Sequence, residues 1–384
     1  MWALWEGPQE PALVPAPRIS SRHCGLRMFL RTLLVCVPLA LLLRWLEFPP
    51  LVVFAISALA VIPLAELMGE ATEVFAARLG PNVGGLLNAT LGIAPEVIIC
   101  ILGLRNGLHN VVKASITGSI IANLLLGLGL SMILGGRRHG FQHFDKLHAS
   151  LNAGLLMLAS IGLIVPAVFH HITTIHEQRF SLETSVVLLA VYALSVWFTI
   201  RGGQQHFGDE ESREKVRQSP KAVPQSHSHP WSQRRALTIL AAATFTLALI
   251  SEVLTSQLEP ASHALGLTET FSGVILLAIV GNAGEILNAV RFARDDQMDV
   301  SFSIAVGAGT QVALMVAPLL VVVSQFMGTP MDLVFSPFEV ITVALAVVVT
   351  NKITGDGQCH WMEGVLLVGV YAILALAFFD LPEM

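Results

Sequence analysis

Charge is what this chain has least of. Asp, Glu, Lys and Arg make up 13% of its 384 residues, while 54% are hydrophobic. Soluble domains carry about a quarter charged residues, so a water-soluble fold of this length is excluded and an integral membrane protein is implied. Cysteine is scarce as well. Cys24, Cys36, Cys100 and Cys359 lie far apart without C-x-x-C spacing, so neither a disulfide framework nor a zinc site follows. The formal net charge is −5 and the basic residues are scattered between apolar runs, which leaves no patch for nucleic acid. The apolar segments contain no nucleophile and base pair, no His-Glu metal motif and no phosphate-binding loop. The chain therefore reads as a non-enzyme without a cofactor.

What is present is a series of long apolar runs. About 20 residues of helix cross the ~30 Å of bilayer hydrocarbon. Eleven candidate spans meet that length: 28–46, 51–79, 83–104, 110–135, 146–168, 181–200, 235–257, 270–293, 299–327, 335–351 and 360–380. The Pro-rich tail 1–27, with Arg18, Arg22 and Arg27, resembles the start of a signal peptide. No small-x-small cleavage site follows it, so 28–46 reads as an uncleaved first span. The one long polar segment lies in 201–234 and separates two halves, 51–200 and 235–380. Its histidines, His206, His227 and His229, read as part of a solvated linker, because His-Ser-His makes a weak metal site.

Basic residues give an orientation. If the N-terminus and every second loop share one side, that side holds 18 of the 22 Lys and Arg residues. The other side keeps Arg44, Arg105, Lys113 and Arg179. The tail and linker then face the cytoplasm and the C-terminus faces away from it.

Each half makes five spans, and an odd number means that the second half crosses in the opposite sense. The order of landmarks recurs. First comes a helix bearing an acid (Glu73; Glu252), then a Gly-x-Ala-x-Glu helix (Gly92 to Glu96; Gly281 to Glu285). Next is a Gly-rich helix with an amide (Gly118 and Asn123; Gly307 and Gln311). This is the pattern of an inverted repeat, whose substrate site forms near the midplane where the halves meet. A carboxylate in hydrocarbon costs roughly 2.5–3.5 kcal/mol on insertion scales, so two acids in matching places mark a working site.

Pro95 removes a backbone donor, and Gly281 and Gly284 weaken their helix, so both helices are predicted to break beside their glutamates. A break frees carbonyls that lipid cannot satisfy, and it is tolerated beside a cavity or an ion. Carboxylate and carbonyl oxygens suit a hard cation such as calcium. Amide oxygens of Asn88, Asn123, Asn282, Asn288 and Gln311 are candidates to join them. One divalent cation or two protons neutralise the same pair of acids. A protein that switches sides only when loaded then exchanges one for the other, with Glu73 and Glu252 as proton acceptors on the approach path or as secondary ligands.

Three stretches carry a resemblance: VIPLAELMGEATEVFAARLGPNVGGLLNATLGIAPEVII, KASITGSIIANLLLGLGL, and LAIVGNAGEILNAV with SIAVGAGTQVALMVAP. Together they resemble the calcium/proton antiporters of the cation/calcium exchanger superfamily, from about Val61 to the C-terminus. The resemblance implies an all-α protein of eleven transmembrane helices, an extra first span followed by two inverted five-helix repeats. It implies calcium carried between Glu96 and Glu285 with backbone oxygens near Gly92 and Gly281, and assisting acids at Glu73 and Glu252. Two positions depart from the pattern: Ile93 stands where the first repeat usually has asparagine, matched by Asn282 in the second, and Ala308 replaces a common serine. The Gly-Thr-Ser-x-Pro-Glu run of sodium/calcium exchangers is absent, which favours protons as the counter-ion, although Pro95 is shared with it. Same-fold exchange with sodium as driver or manganese as cargo is the alternative, and a channel is a weaker one. The expected partners are Ca2+, H+ and the lipid bilayer, with a bacterial inner membrane preferred to a vacuolar one and the oligomeric state left open.

Overall fold

The computed structural model describes residues 32–76, 91–172, 177–200 and 232–382. Its helices in chain order are α1 (Cys36–Trp45), α2 (Pro50–Ala76), α3 (Ala94–Arg105), α4 (His109–His139), α5 (Lys146–Ile172) and α6 (Glu177–Ile200). The second half gives α7 (Gln233–Leu265), α8 (Glu269–Gly281), α9 (Ala283–Arg294), α10 (Met298–Met327), α11 (Pro337–Thr354) and α12 (Trp361–Phe379). Among the described residues, eight helices are long and apolar enough to cross a membrane, and α8 with α9 makes a ninth crossing bent by 55°. The protein is therefore helical and multi-pass. The predicted spans 28–46 and 83–104 are represented by α1 and α3. Residues 28–31 and 83–90 of those spans, with the tail and most of the linker, lie outside the described residues.

Burial sorts the helices into a centre and a rim. Of the apolar window of α4, 83% is buried inside the protein, against 11% for α6. Their sequences explain the difference. The α4 helix is built from small residues at its contact points, while α6 turns Val186, Val187, Leu194 and Trp197 outward, as a lipid-facing helix must. Where α4 crosses α8, a Cβ on Gly118 would stand 2.0 Å from the carbonyl oxygen of Val274, and one on Gly273 would stand 2.6 Å from Ala114 Cβ. Only glycine permits the two backbones to approach so closely.

Two features are absent from the sequence reading. Two-residue strands, β1 (Gln142–His143) and β2 (Gln358–Cys359), pair antiparallel and join the α4–α5 connection to the α11–α12 connection. The all-α expectation is corrected to this extent. Neither strand has the length or alternation that makes a strand legible. Cys359 is 2% exposed there, and its thiol is pushed up to about 12, chiefly by burial and then by the nearby charges of Glu363 and Asp356. The second feature is three π-helical segments, Ala122–Gly127 in α4, Ser272–Leu277 in α8 and Val312–Val316 in α10.

Candidate functional site

Two helix breaks build the site. Ile93, before α3, has φ −91° and ψ 4°, and Asn282, between α8 and α9, has φ −100° and ψ 7°. The backbone leaves the helical region the same way in both halves, as the proline and glycines predict. Pro95 falls in the first turn of α3, where its missing N–H costs no helical bond. Glu96 and Glu285 each occupy the third position of the new helix, in its first turn. Free N–H groups and the helix dipole favour negative charge there, which offsets part of the cost of placing a carboxylate in hydrocarbon.

The two carboxylates are within Coulombic reach of one another. Glu96 is 5% exposed; Glu285 keeps part of its surface open, and its Oε2 is buried without a hydrogen-bond partner among the described residues. The breaks are flanked by space. Among the described residues, a Cβ on Gly92 or Gly281 would meet nothing within 4 Å, although Gly281 is itself buried. Glycine at these two positions leaves room beside the freed backbone, as a site with carbonyl ligands requires.

Asn282 ties the breaks to α4. Its Nδ2 donates to Ser119 Oγ at 2.8 Å and to the Ala278 carbonyl at 2.8 Å, with a longer contact of 3.4 Å to Glu96 Oε1. Its Oδ1 accepts from Asn123 Nδ2 at 2.6 Å, and Asn123 Oδ1 is left buried without a partner among the described residues. Ser119 also faces Glu96. Ser119, Asn123, Asn282 and Glu96 thus form one polar network that crosses between the halves. Sequence reasoning passed over Ser119. Its spacing of four from Asn123, which puts both on one face of α4, is the signal that would have found it.

The remaining predicted residues are less gathered. Gln311 lies at the last position before the π-helical part of α10, as Asn123 lies within that of α4. Such π-turns recur at functional sites. Asn288 accepts from Arg291 Nη1 at 3.4 Å. Glu252 sits on α7, with its Oε2 buried and without a partner among the described residues. Glu73 is on the α2 backbone, but its side chain and the whole of Asn88 lie outside the described residues. Among the described residues, no group of three or more His, Cys, Asp or Glu side chains could hold a metal ion. The acidic donors are the glutamate pair.

The sodium/calcium exchanger protein family model matches residues 49–201 and again residues 235–379. The chain belongs to that family. Within it, the chain is similar to the Ca(2+)/H(+) antiporter of Aphanothece halophytica, 43% identical over 357 residues that cover 91% of this chain and 96% of the relative. The Ca(2+)/H(+) antiporter of Synechocystis sp. is 41% identical over 370 residues, covering 93% and 98%. The solved structure of the Ca2+/H+ antiporter protein YfkE matches with a TM-score of 0.77 at 34% identity, covering 93% of this chain and all of that one. Both breaks and the whole polar network of this family member fall inside the matched segments.

Proposed function

We propose that this chain is a secondary antiporter that exchanges cytoplasmic Ca2+ for protons by alternating access. The observation that carries the reading is the glutamate pair. Two acids at the same position of two broken helices face each other's field, and a polar network that crosses between the halves holds one of them, Glu96, in a family whose similar members are named Ca(2+)/H(+) antiporters. Empty and ionised, the pair holds two negative charges in a site of low dielectric, which disfavours the conformational crossing. A calcium ion or two protons remove that charge, so only loaded protein crosses.

Residue roles follow. Glu96 and Glu285 supply carboxylate oxygens, and the peptide carbonyls near Gly92 and Gly281 supply neutral ones. Asn282 and Ser119 orient Glu96, and Asn123 holds Asn282. Glu252, and Glu73 in the other half, accept protons on the approach. The architecture proposed is eleven spans, a first span and two inverted five-helix repeats at 51–200 and 235–380. The double match of the family model and the paired breaks support it. The tail and linker face the cytoplasm, and the membrane is a bacterial inner membrane, in line with the bacterial relatives.

The test is calcium uptake into proteoliposomes driven by an imposed pH gradient with sodium absent. Uptake that collapses with the gradient supports the reading. Uptake that requires sodium favours sodium as the driver, the second reading, to which the family's description and Pro95 both point. Calcium movement as unitary currents in a bilayer recording would make the protein a channel.

A further inference from the structure

A third acid stands beside the glutamate pair with a cation already on it. Glu66 in α2 has its Oε1 3.7 Å from Nη1 of Arg291 in α9, the two side chains being 15% and 23% exposed. A Cβ on Gly284 would meet Ala65 Cβ at 3.9 Å, so this part of α2 lies against the first turn of α9, one residue away from both Glu285 and Glu66. The ion pair bridges the two halves on the side toward which α9 runs, the side the basic loops assign to the cytoplasm.

The arginine has no equivalent at the matching position of the first half. Glu66 and Glu73 are seven residues apart, as are Glu252 and Glu259, so α2 and α7 each carry two acids at the same spacing. Six residues after Glu285 comes Arg291, but six after Glu96 comes Leu102. One approach to the site therefore carries an acid neutralised by arginine, while on the other Glu252 keeps a carboxylate oxygen with no partner among the described residues. Asn288 Oδ1, 3.4 Å from the same Nη1, gives the guanidinium a second place to rest.

We propose that Glu66 is a relay carboxylate for the transported cation on the cytoplasmic approach, and that Arg291 is its resident counter-ion, which an incoming divalent cation displaces onto Asn288. The proposal rests on the reading of the chain as a calcium/proton antiporter. A doubly charged ion outcompetes a singly charged guanidinium at a carboxylate, and an arginine that stays tethered rebinds once the ion has moved on to Glu96 and Glu285. Arg291 thus lowers the apparent affinity of the cytoplasmic entrance and prevents calcium from lodging there.

The experiment measures KM and kcat for calcium uptake into everted membrane vesicles containing the full chain, as wild type, Arg291→Gln, Arg291→Lys, Glu66→Gln and the Arg291→Gln/Glu66→Gln double variant. Arg291→Gln is expected to lower KM roughly three- to fivefold, the weight of a partly exposed ion pair. Arg291→Lys keeps KM near wild type, Glu66→Gln raises it, and the double variant matches Glu66→Gln because the arginine has lost its partner. A KM that ignores Arg291→Gln, or an Arg291→Gln effect that persists undiminished without Glu66, overturns the proposal while leaving exchange intact. A kcat loss at constant KM, rescued by lysine, makes the pair a packing contact and also overturns it. A wild type that moves no calcium in these vesicles overturns the exchange reading and this proposal together.

Discussion

Replacing Asn282 with leucine tests the polar network directly. Leucine has the same number and branching of side-chain heavy atoms as asparagine, so the change removes polarity without opening a cavity. The Ala278 carbonyl keeps the backbone N–H of residue 282 at 3.0 Å, and Ser119 keeps Glu96, so neither is orphaned. Asn123 is. It loses its 2.6 Å acceptor, and its Oδ1 already has no partner, so a whole buried amide is stranded. A stranded buried group costs about 1–3 kcal/mol, so Asn282→Leu is expected to lower the melting temperature measurably in detergent. Glu96 loses only a 3.4 Å contact, a loss of ~0.5–1 kcal/mol, or about two- to fivefold in KM for calcium in proteoliposomes. Adding Asn123→Leu removes the stranded amide as well, and most of the stability should return while the raised KM remains. An Asn282→Leu protein with wild-type melting and wild-type KM would refute the reasoning. So would a double variant that is less stable than Asn282→Leu alone.

Other outcomes are equally definite. Glu96→Gln and Glu285→Gln should each abolish pH-driven calcium uptake while folded protein remains in the membrane; robust transport by either removes the charge mechanism. Ile93→Asn should retain exchange, at a stability cost of up to about 3 kcal/mol, because Ile93 is 4% exposed among apolar neighbours; a folded but inactive variant would show that the two breaks are not equivalent. Gly118→Val should destabilise the protein severely, since its Cβ would stand 2.0 Å from a backbone carbonyl oxygen that no side-chain rotation can move; normal yield and melting would contradict the close crossing of α4 and α8. Deleting 208–228 from the linker should leave vesicle transport unchanged, as measured by the initial rate of uptake.

Hydropathy, Pro95 and the duplicated Gly-x-Ala-x-Glu motif made the spans, the breaks and the two glutamates legible, because each is written in consecutive residues. The rest depends on which distant residues meet. Asn282 looks like a cation ligand in its own segment, yet its oxygen is taken by a residue 159 positions away. Ser119 is one of many membrane serines until Asn282 and Glu96 arrive beside it. Arg291 reads as an interfacial basic residue by its place near a span end, and only the packing of α2 against α9 gives it Glu66. The π-turns and the β1–β2 pair left no periodic trace, since a one-residue widening and a two-residue strand are shorter than any hydrophobic repeat.

That small strand pair doubles as a native gauge of motion. If rocking between inward-open and outward-open forms peels Gln358 and Cys359 away from Gln142 and His143, the sulfur gains water, its acidity rises toward that of a free thiol, and maleimides begin to label it. Labelling rate at this one atom would then track the conformational cycle without any engineered dye site.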